Sequence, residues 1–244
     1  MTSQLPRGWP SAALATLVDL VLPRPCPGCG GPEPWCGGCA ATVRGRPREP
    51  VLPDAALERF TGIPLPAFRS LARYRGPVRA AIVAGKERGR RDLPPVLGAA
   101  IGVGLLRLQA ISLIPPEITL VPAPTRAAAA RARGGDPVLT MASSAAAVLA
   151  RNGQRVRVAP CLVTRAGARD SVRLTAAQRA DNLAGRIRVR PRALPPDGAA
   201  VVLIDDVLTT GATALASGAV LAEAGLPVRA VVTLAAVPPW RDVR

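Results

Sequence analysis

Apolar residues are arranged in two ways along this chain. Some stretches are long and carry them at helical spacing; others are short and apolar without a break. Leu93 to Ala110 is of the first kind. Val138 to Asn152 is another, opened by Asp136 as N-cap with Pro137 in the first turn, and closed by Gly153. A capping box, Thr175 to Gln178, predicts a helix to about Leu183. Ala214 to Ala224, stopped by Gly225, predicts a further one, and Ala12 to Leu22 reads as an amphipathic helix at the N-terminus. The short runs predict strands at Ile118–Val121, Val156–Thr164, Ile187–Arg190, Val201–Ile204 and Val228–Ala235. The segments VVLI and VVTL are apolar at every position, which suits central strands covered on both faces. Strands alternating with helices at this spacing predict an α/β fold with an open, mostly parallel sheet.

The same pattern divides the chain. Residues 1–43 hold the N-terminal helix and a cysteine cluster. Residues 44–65 begin with the charged, proline-broken RGRPREPVLPDAA and read as a linker. Residues 66–244 carry the α/β alternation, and 244 residues suffice for one such domain plus a small appendage.

Composition narrows the chemistry. Apolar residues make up 49% but aromatics only 2%, so the core must be built from small aliphatic side chains. There is no histidine, which excludes imidazole acid–base catalysis, Ser-His-Asp triads and imidazole metal sites. The net charge of +16 favours an anionic partner. Arginines supply nearly all of it and are spread along the chain, which a coding bias toward arginine would also produce. Direct nucleic-acid binding is therefore the weaker reading and phosphate affinity the stronger. Ala12–Leu22 is interrupted by Asp19 and lacks a cleavage site, while Leu97–Ile114 contains Arg107 and Gln109. Neither reads as a secretion signal or a membrane span, and the expected location is the cytoplasm.

The most informative stretch is Val201 to Thr213, VVLIDDVLTTGAT. An apolar strand delivers two carboxylates, Asp205 and Asp206, and then a Thr/Gly loop to the carboxyl edge of a sheet, where ligands bind in open α/β folds. Gly211 permits a tight turn, so successive N–H groups converge on one anion, and the helix that follows adds its unpaired N–H groups. Thr209, Thr210 and Thr213 add hydroxyl donors around Gly211 and Ala212. Adjacent carboxylates would repel a bare phosphate, but they accept hydrogen bonds from the hydroxyls of a phosphorylated polyol. The bland alternative is that the two acids only shape a turn.

Cys26, Cys29, Cys36 and Cys39 form two CxxC units separated by six residues. Two such knuckles complete a tetrahedron of thiolates, a closed set that suits structural zinc. Zinc contributes about 10–16 kcal/mol in small zinc-finger peptides, enough to order a segment with almost no core. A redox dithiol or disulfides are the alternatives. Trp35 beside the second knuckle is placed to pack the ribbon or dock it. Cys161, alone in an apolar stretch, reads as a buried small hydrophobe.

VVLIDDVLTTGAT resembles the binding signature for 5-phosphoribosyl 1-pyrophosphate (PRPP) in type I phosphoribosyltransferases. Together with the CxxC pairs, Tyr74-Arg75-Gly76 followed by Lys86, Val121-Pro122-Ala123-Pro124, Arg133-Gly134 and Gln178-Arg179…Asn182, it makes most of the chain similar to the ComF competence-protein family. The resemblance implies a phosphoribosyltransferase-type domain behind an N-terminal zinc ribbon. It implies that Asp205 and Asp206 hold the ribose hydroxyls, that Thr209 to Thr213 hold the 5′-phosphate, and that the loop Pro122, Ala123, Pro124 to Arg126 faces the pyrophosphate. Magnesium would accompany PRPP, and pyrophosphate would be displaced at the anomeric carbon through an oxocarbenium-like state. A PRPP-sensing or assembly module serving DNA-uptake machinery is the non-catalytic alternative. Where many family members read Arg-Gly-Phe-Asn-Gln, this chain reads Arg133-Gly134-Gly135-Asp136-Pro137. Arg126, Arg131 and Arg133 are candidates for neutralising pyrophosphate. Lys86, the sole lysine, is either a phosphate contact or a solvated charge. Arg165, Arg169 and Arg173 belong either to a flap over the ligand or to a solvated loop, and Arg179 lies on the capped helix.

Overall fold

The alternation of apolar runs builds a single five-stranded sheet in the computed structural model, which describes residues 24–58, 65–125, 130–131, 134–165 and 185–241. In chain order the sheet strands are β1 (Ala67–Arg73), β2 (Ile118–Pro122), β3 (Val156–Val158), β6 (Val201–Leu208) and β7 (Val228–Ala236). They lie in the order β1-β7-β6-β2-β3, and every neighbouring pair is parallel. A separate antiparallel pair joins β4 (Leu162–Thr164) to β5 (Ile187–Val189). The helices are α1 (Gly37–Ala41), α2 (Asp54–Leu57), α3 (Gly76–Glu87), α4 (Leu93–Ala110), α5 (Pro137–Arg151) and α6 (Ala212–Glu223).

The central strands are apolar throughout because they face two cores. Val202 and Ile204 pack into one, with α3, α4 and α5; Val201 and Leu203 pack into the other, with α6, β4 and β5. The helix over Leu93–Ala110 forms as expected and carries Leu93, Leu97, Ile101, Leu105 and Leu108 into the first core. It is long and apolar enough to cross a membrane by length and composition, and half of it is buried against the rest of the chain. Asp136 caps α5 as expected, its Oδ1 accepting from the N–H groups of Val138 and Leu139 at 2.9 and 3.2 Å.

Three expectations change. The strand predicted over Val156–Thr164 breaks into β3 and β4, which belong to different sheets. Pro160 has no N–H to donate to a ladder, and the chain bends there, with Cys161 N–H bonding Ala159 O at 2.8 Å. Cys161 itself is fully buried, as expected. The strand ending in the acid pair is longer than Val201–Ile204, because β7 continues to pair with it as far as Leu208. Residues 48–52, read as linker, lie along the domain: Arg48 bridges Ser70, Pro50 bridges Trp240, and Leu52 enters the second core. Glu49 is held by Arg69 at 3.0 Å and Arg241 at 3.3 Å, and Trp240 lies under the guanidinium groups of Arg48 and Arg73 at 4.4 and 5.1 Å. The helices predicted over Ala12–Leu22 and Thr175–Leu183 fall outside the described residues.

Candidate functional site

Chain direction in the sheet determines where a cleft can open. From β2 the chain passes through α5 outward to β3; from β6 it passes through α6 outward to β7. The neighbours β2 and β6 therefore send their carboxyl-end loops apart, with α5 and α6 on opposite faces. A cleft of about 530 Å³ lies there, lined by Ala123, Pro124 and Thr125 after β2, by Asp205, Asp206, Val207, Thr209 and Thr213 of the β6–α6 unit, and by Tyr74, Lys86, Pro137 and Val138.

The acid pair sits on β6 with alternate residues facing alternate sides. Asp206 follows Val202 and Ile204 toward the face covered by α3, and it is only 3% exposed. Its Oδ2, sealed from water, takes the ammonium group of Lys86 as its partner. Lys86 extends from the last turn of α3, with its side chain 34% exposed. Lys86 is thus an ion-pair partner of Asp206, a role that neither of its two sequence readings named. Asp205 faces the other way and is half-buried, its Oδ1 accepting the N–H of Asp206 at 2.8 Å. Loss of water around its carboxyl and the charge of Asp206 outweigh the attraction of Lys86 and push Asp205 up to about 8.

The turn after β6 has the conformation its sequence calls for. Gly211 is left-handed at φ 81° and forms the N-cap of α6 with no side-chain cap. Leu215 N–H bonds Gly211 O at 2.9 Å, and Thr210 Oγ1 reaches Ala212 N at 3.4 Å. The first-turn N–H groups, which have no partner within the helix, thus start beside Thr209 and Thr213. A side-chain carbon at residue 211 would lie 2.9 Å from Leu52 Cδ2, so the turn rests on the strap from residues 48–52. The helix begins at Ala212 rather than at Ala214 as expected.

Of the residues singled out from sequence, Asp205, Asp206, Thr209, Thr213, Ala123 and Pro124 line one cleft. Thr210, Gly211 and Ala212 shape the turn without lining it, and Pro122 is the buried last residue of β2. Arg126, Arg133, Arg169, Arg173 and Arg179 fall outside the described residues; Arg131 and Arg165 are exposed and do not line the cleft. Thr125 lies in the loop expected to face pyrophosphate but had no role of its own; its hydroxyl donates to Asp136 Oδ1 at 3.0 Å and so ties the β2 loop to the cap of α5. Sequence reasoning gave no reason to place Tyr74, Pro137 and Val138 in the wall.

The second cluster is the cysteine set. The Sγ atoms of Cys26, Cys29, Cys36 and Cys39 lie within 4.8 Å of one another and form no disulfide. A tetrahedral ZnS₄ unit has sulfur–sulfur edges of roughly 3.8 Å at a Zn–S length of about 2.3 Å. The set fits one such ion. Each knuckle is shaped by backbone bonds: Gly30 N–H to Cys26 O at 2.8 Å, and Ala40 N–H to Cys36 O at 2.9 Å. Burial acts to raise the Cys26 thiol, but N–H groups of Cys36, Gly28 and Cys29 overcome it and hold the thiol down at about 6. Burial and the neighbouring thiols push Cys39 up. Trp35 packs against the first core, so it docks the ribbon onto the larger domain.

A scan against protein-family models and a search of curated proteins each gave no match to this chain.

Proposed function

We propose that the cleft between β2 and β6 binds a ribose 5-phosphate unit, with PRPP as the ligand it suits best. The observation that carries this reading is the meeting, in one cleft, of two adjacent carboxyl groups, one of them paired with Lys86, with Thr209 and Thr213 at either end of the turn that starts α6. The turn offers N–H and hydroxyl donors to a phosphate. The acids offer acceptors to the hydroxyls of the sugar attached to it. Ala123, Pro124 and Thr125 lie across from them, where the diphosphate at the anomeric carbon would extend.

The likeness of VVLIDDVLTTGAT to PRPP-binding segments supports transfer of the phosphoribosyl group to an acceptor with release of pyrophosphate. In such a displacement the C1–O bond to pyrophosphate breaks as the acceptor bonds to C1, and pyrophosphate leaves with the bonding pair. The chain's part is to bind, orient and exclude water, which needs no histidine. The lining contains two acids, one of them already paired with Lys86, and these alone are a poor cage for magnesium, which takes six oxygens. This reading therefore assigns magnesium to the ligand's diphosphate, where it would offset charge on the leaving group.

The test is calorimetry with PRPP and magnesium on the native chain and on Asp205→Asn/Asp206→Asn, followed by pyrophosphate release with candidate acceptors. Binding lost in the double variant and turnover with one acceptor are the expected results. Binding without turnover across all acceptors would favour a PRPP-sensing module of the kind the ComF resemblance suggests for DNA uptake. No binding by the native chain would overturn the proposal.

A further inference from the structure

The cysteine ribbon and the cleft share one element, α3. At its first turn, Gly28 of the ribbon comes so near that a side-chain carbon there would stand 2.7 Å from Pro77 Cβ and 2.6 Å from Cys39 Sγ. Just past its last turn, the N–H of Arg90 returns to Ala84 O at 3.2 Å, and the Arg90 side chain, 8% exposed, enters the ribbon. Nη1 donates to Pro25 O at 2.8 Å and Nη2 to Pro34 O at 3.0 Å. Nε and Nη2 also grip the two oxygens of Asp92 at 2.9 and 2.7 Å. Pro25 precedes Cys26, and Pro34 stands just before the second knuckle, so one guanidinium holds the approach to both halves of the cysteine set. Arg24 adds a bond to Gly89 O at 3.4 Å. The other side of α3 serves the cleft: Tyr74 stands before its first turn and Lys86 in its last, and both line the wall.

A buried guanidinium is tolerable only when its donors are satisfied, and its planar fork then fixes its acceptors in direction as well as distance. Arg90 therefore does more than tether the ribbon. It sets the end of α3, from which Lys86 reaches Asp206. We propose that Arg90 is a positioning residue for the cleft: it transmits the order of the metal-bound ribbon to the last turn of α3, so that occupancy of the cysteine set and of the cleft are coupled. Without a metal, the segments carrying Pro25 and Pro34 lose their cross-link. The guanidinium then loses two fixed acceptors, and the turn bearing Lys86 loses its brace. By reciprocity, a cleft ligand that uses Lys86 or Asp206 tightens the equilibrium binding of zinc.

The ligand half of this proposal rests on the ribose-phosphate reading; the Lys86 half does not. Lys86 is the sole lysine, so its acylation by an amine-directed ester, followed by peptide mass spectrometry, reports its contact with Asp206 without any ligand. The full chain is compared zinc-loaded, zinc-stripped, and zinc-loaded as Arg90→Lys, which keeps the charge but cannot span both carbonyls; fragment ions of the peptide separate acylation at residue 86 from that at residue 90. Acylation of Lys86 should rise about fivefold on stripping, and by a smaller factor in Arg90→Lys. The Kd for ribose 5-phosphate should weaken about fivefold or more in step. A Lys86 rate unchanged on stripping, with the sheet intact by circular dichroism, overturns the proposal. If stripping melts the sheet, zinc-loaded Arg90→Lys decides alone, and an unchanged rate there overturns it equally. If the native chain fails to bind ribose 5-phosphate, the proposed function falls, and the acylation comparison still decides the coupling.

Discussion

Replacing Asp205 with asparagine keeps the shape of the side chain and removes its acid. In the native fold, burial and Asp206 lift this carboxyl from 3.8 to about 8. Between those values the folded chain holds a proton that the unfolded chain has released. The contribution of the neutral acid is thus fully present below about pH 4 and is lost as pH rises toward about 8, with a slope approaching about 1.4 kcal/mol per pH unit. Over the whole interval the loss is on the order of 5 kcal/mol, a large fraction of an ordinary domain's stability. Urea unfolding of the zinc-loaded native chain and of Asp205→Asn, from about pH 5 to about pH 9, reads the titration of the Asp205–Asp206 pair, because distant titrations cancel in the difference. The native chain should lose on the order of 3–4 kcal/mol relative to the variant across that range, most of it before about pH 8. A difference constant to within about 0.5 kcal/mol would mean that Asp205 is ionised throughout, and would refute the reasoning.

Other consequences can be measured alongside. Sugar hydroxyls donate to an ionised carboxylate, so ribose-phosphate binding near neutral pH should release about one proton, seen by calorimetry in buffers of different ionisation enthalpy. Lys86→Met leaves the sealed Asp206 carboxylate without its partner and should cost about 2–3 kcal/mol in urea unfolding, with part regained on adding Asp206→Asn. Gly211→Ala forces a side chain into a left-handed turn against Leu52. It should cost about 1–3 kcal/mol and weaken ribose 5-phosphate binding more than a substitution at exposed Arg155 does. The purified chain should carry one zinc by mass spectrometry, and chelation should expose Cys26 and Cys39 to thiol reagents while Cys161 stays protected.

The sequence made the sheet's centre legible because burial on both faces writes itself as unbroken runs such as VVLI and VVTL. The edge was less so. β1, Ala67–Arg73, has no β-branched residue and contains Arg69, and it is a strand because β7 pairs with it and the 48–50 strap covers its other side. α3 opens with Gly76-Pro77 and ends among charges, so its helical pattern is diluted; its buried Val78, Ala81, Ile82 and Ala84 reveal the apolar face. The acid pair and Thr/Gly turn could be read because strand, acids, turn and helix are contiguous. Tyr74 and Lys86 were named from sequence and Thr125 lay within a named loop, but their meeting with the acid pair could not be read, since each reaches the cleft from another element through tertiary packing. Arg90 was one arginine among many, and its burial, its grip on Asp92 and its two backbone acceptors on the ribbon appear only in the fold.

Leu52 beneath Gly211 bears on how this protein can be dissected. The Thr/Gly turn after β6 looks self-contained within one strand–turn–helix unit, yet its floor comes from a stretch preceding the first sheet strand, fastened through Glu49 and Val51 to Arg69, Arg241 and Pro239. A fragment trimmed to begin at β1 would keep every residue of the signature and lose the surface on which it is cast. Work with such a fragment would report on an altered pocket.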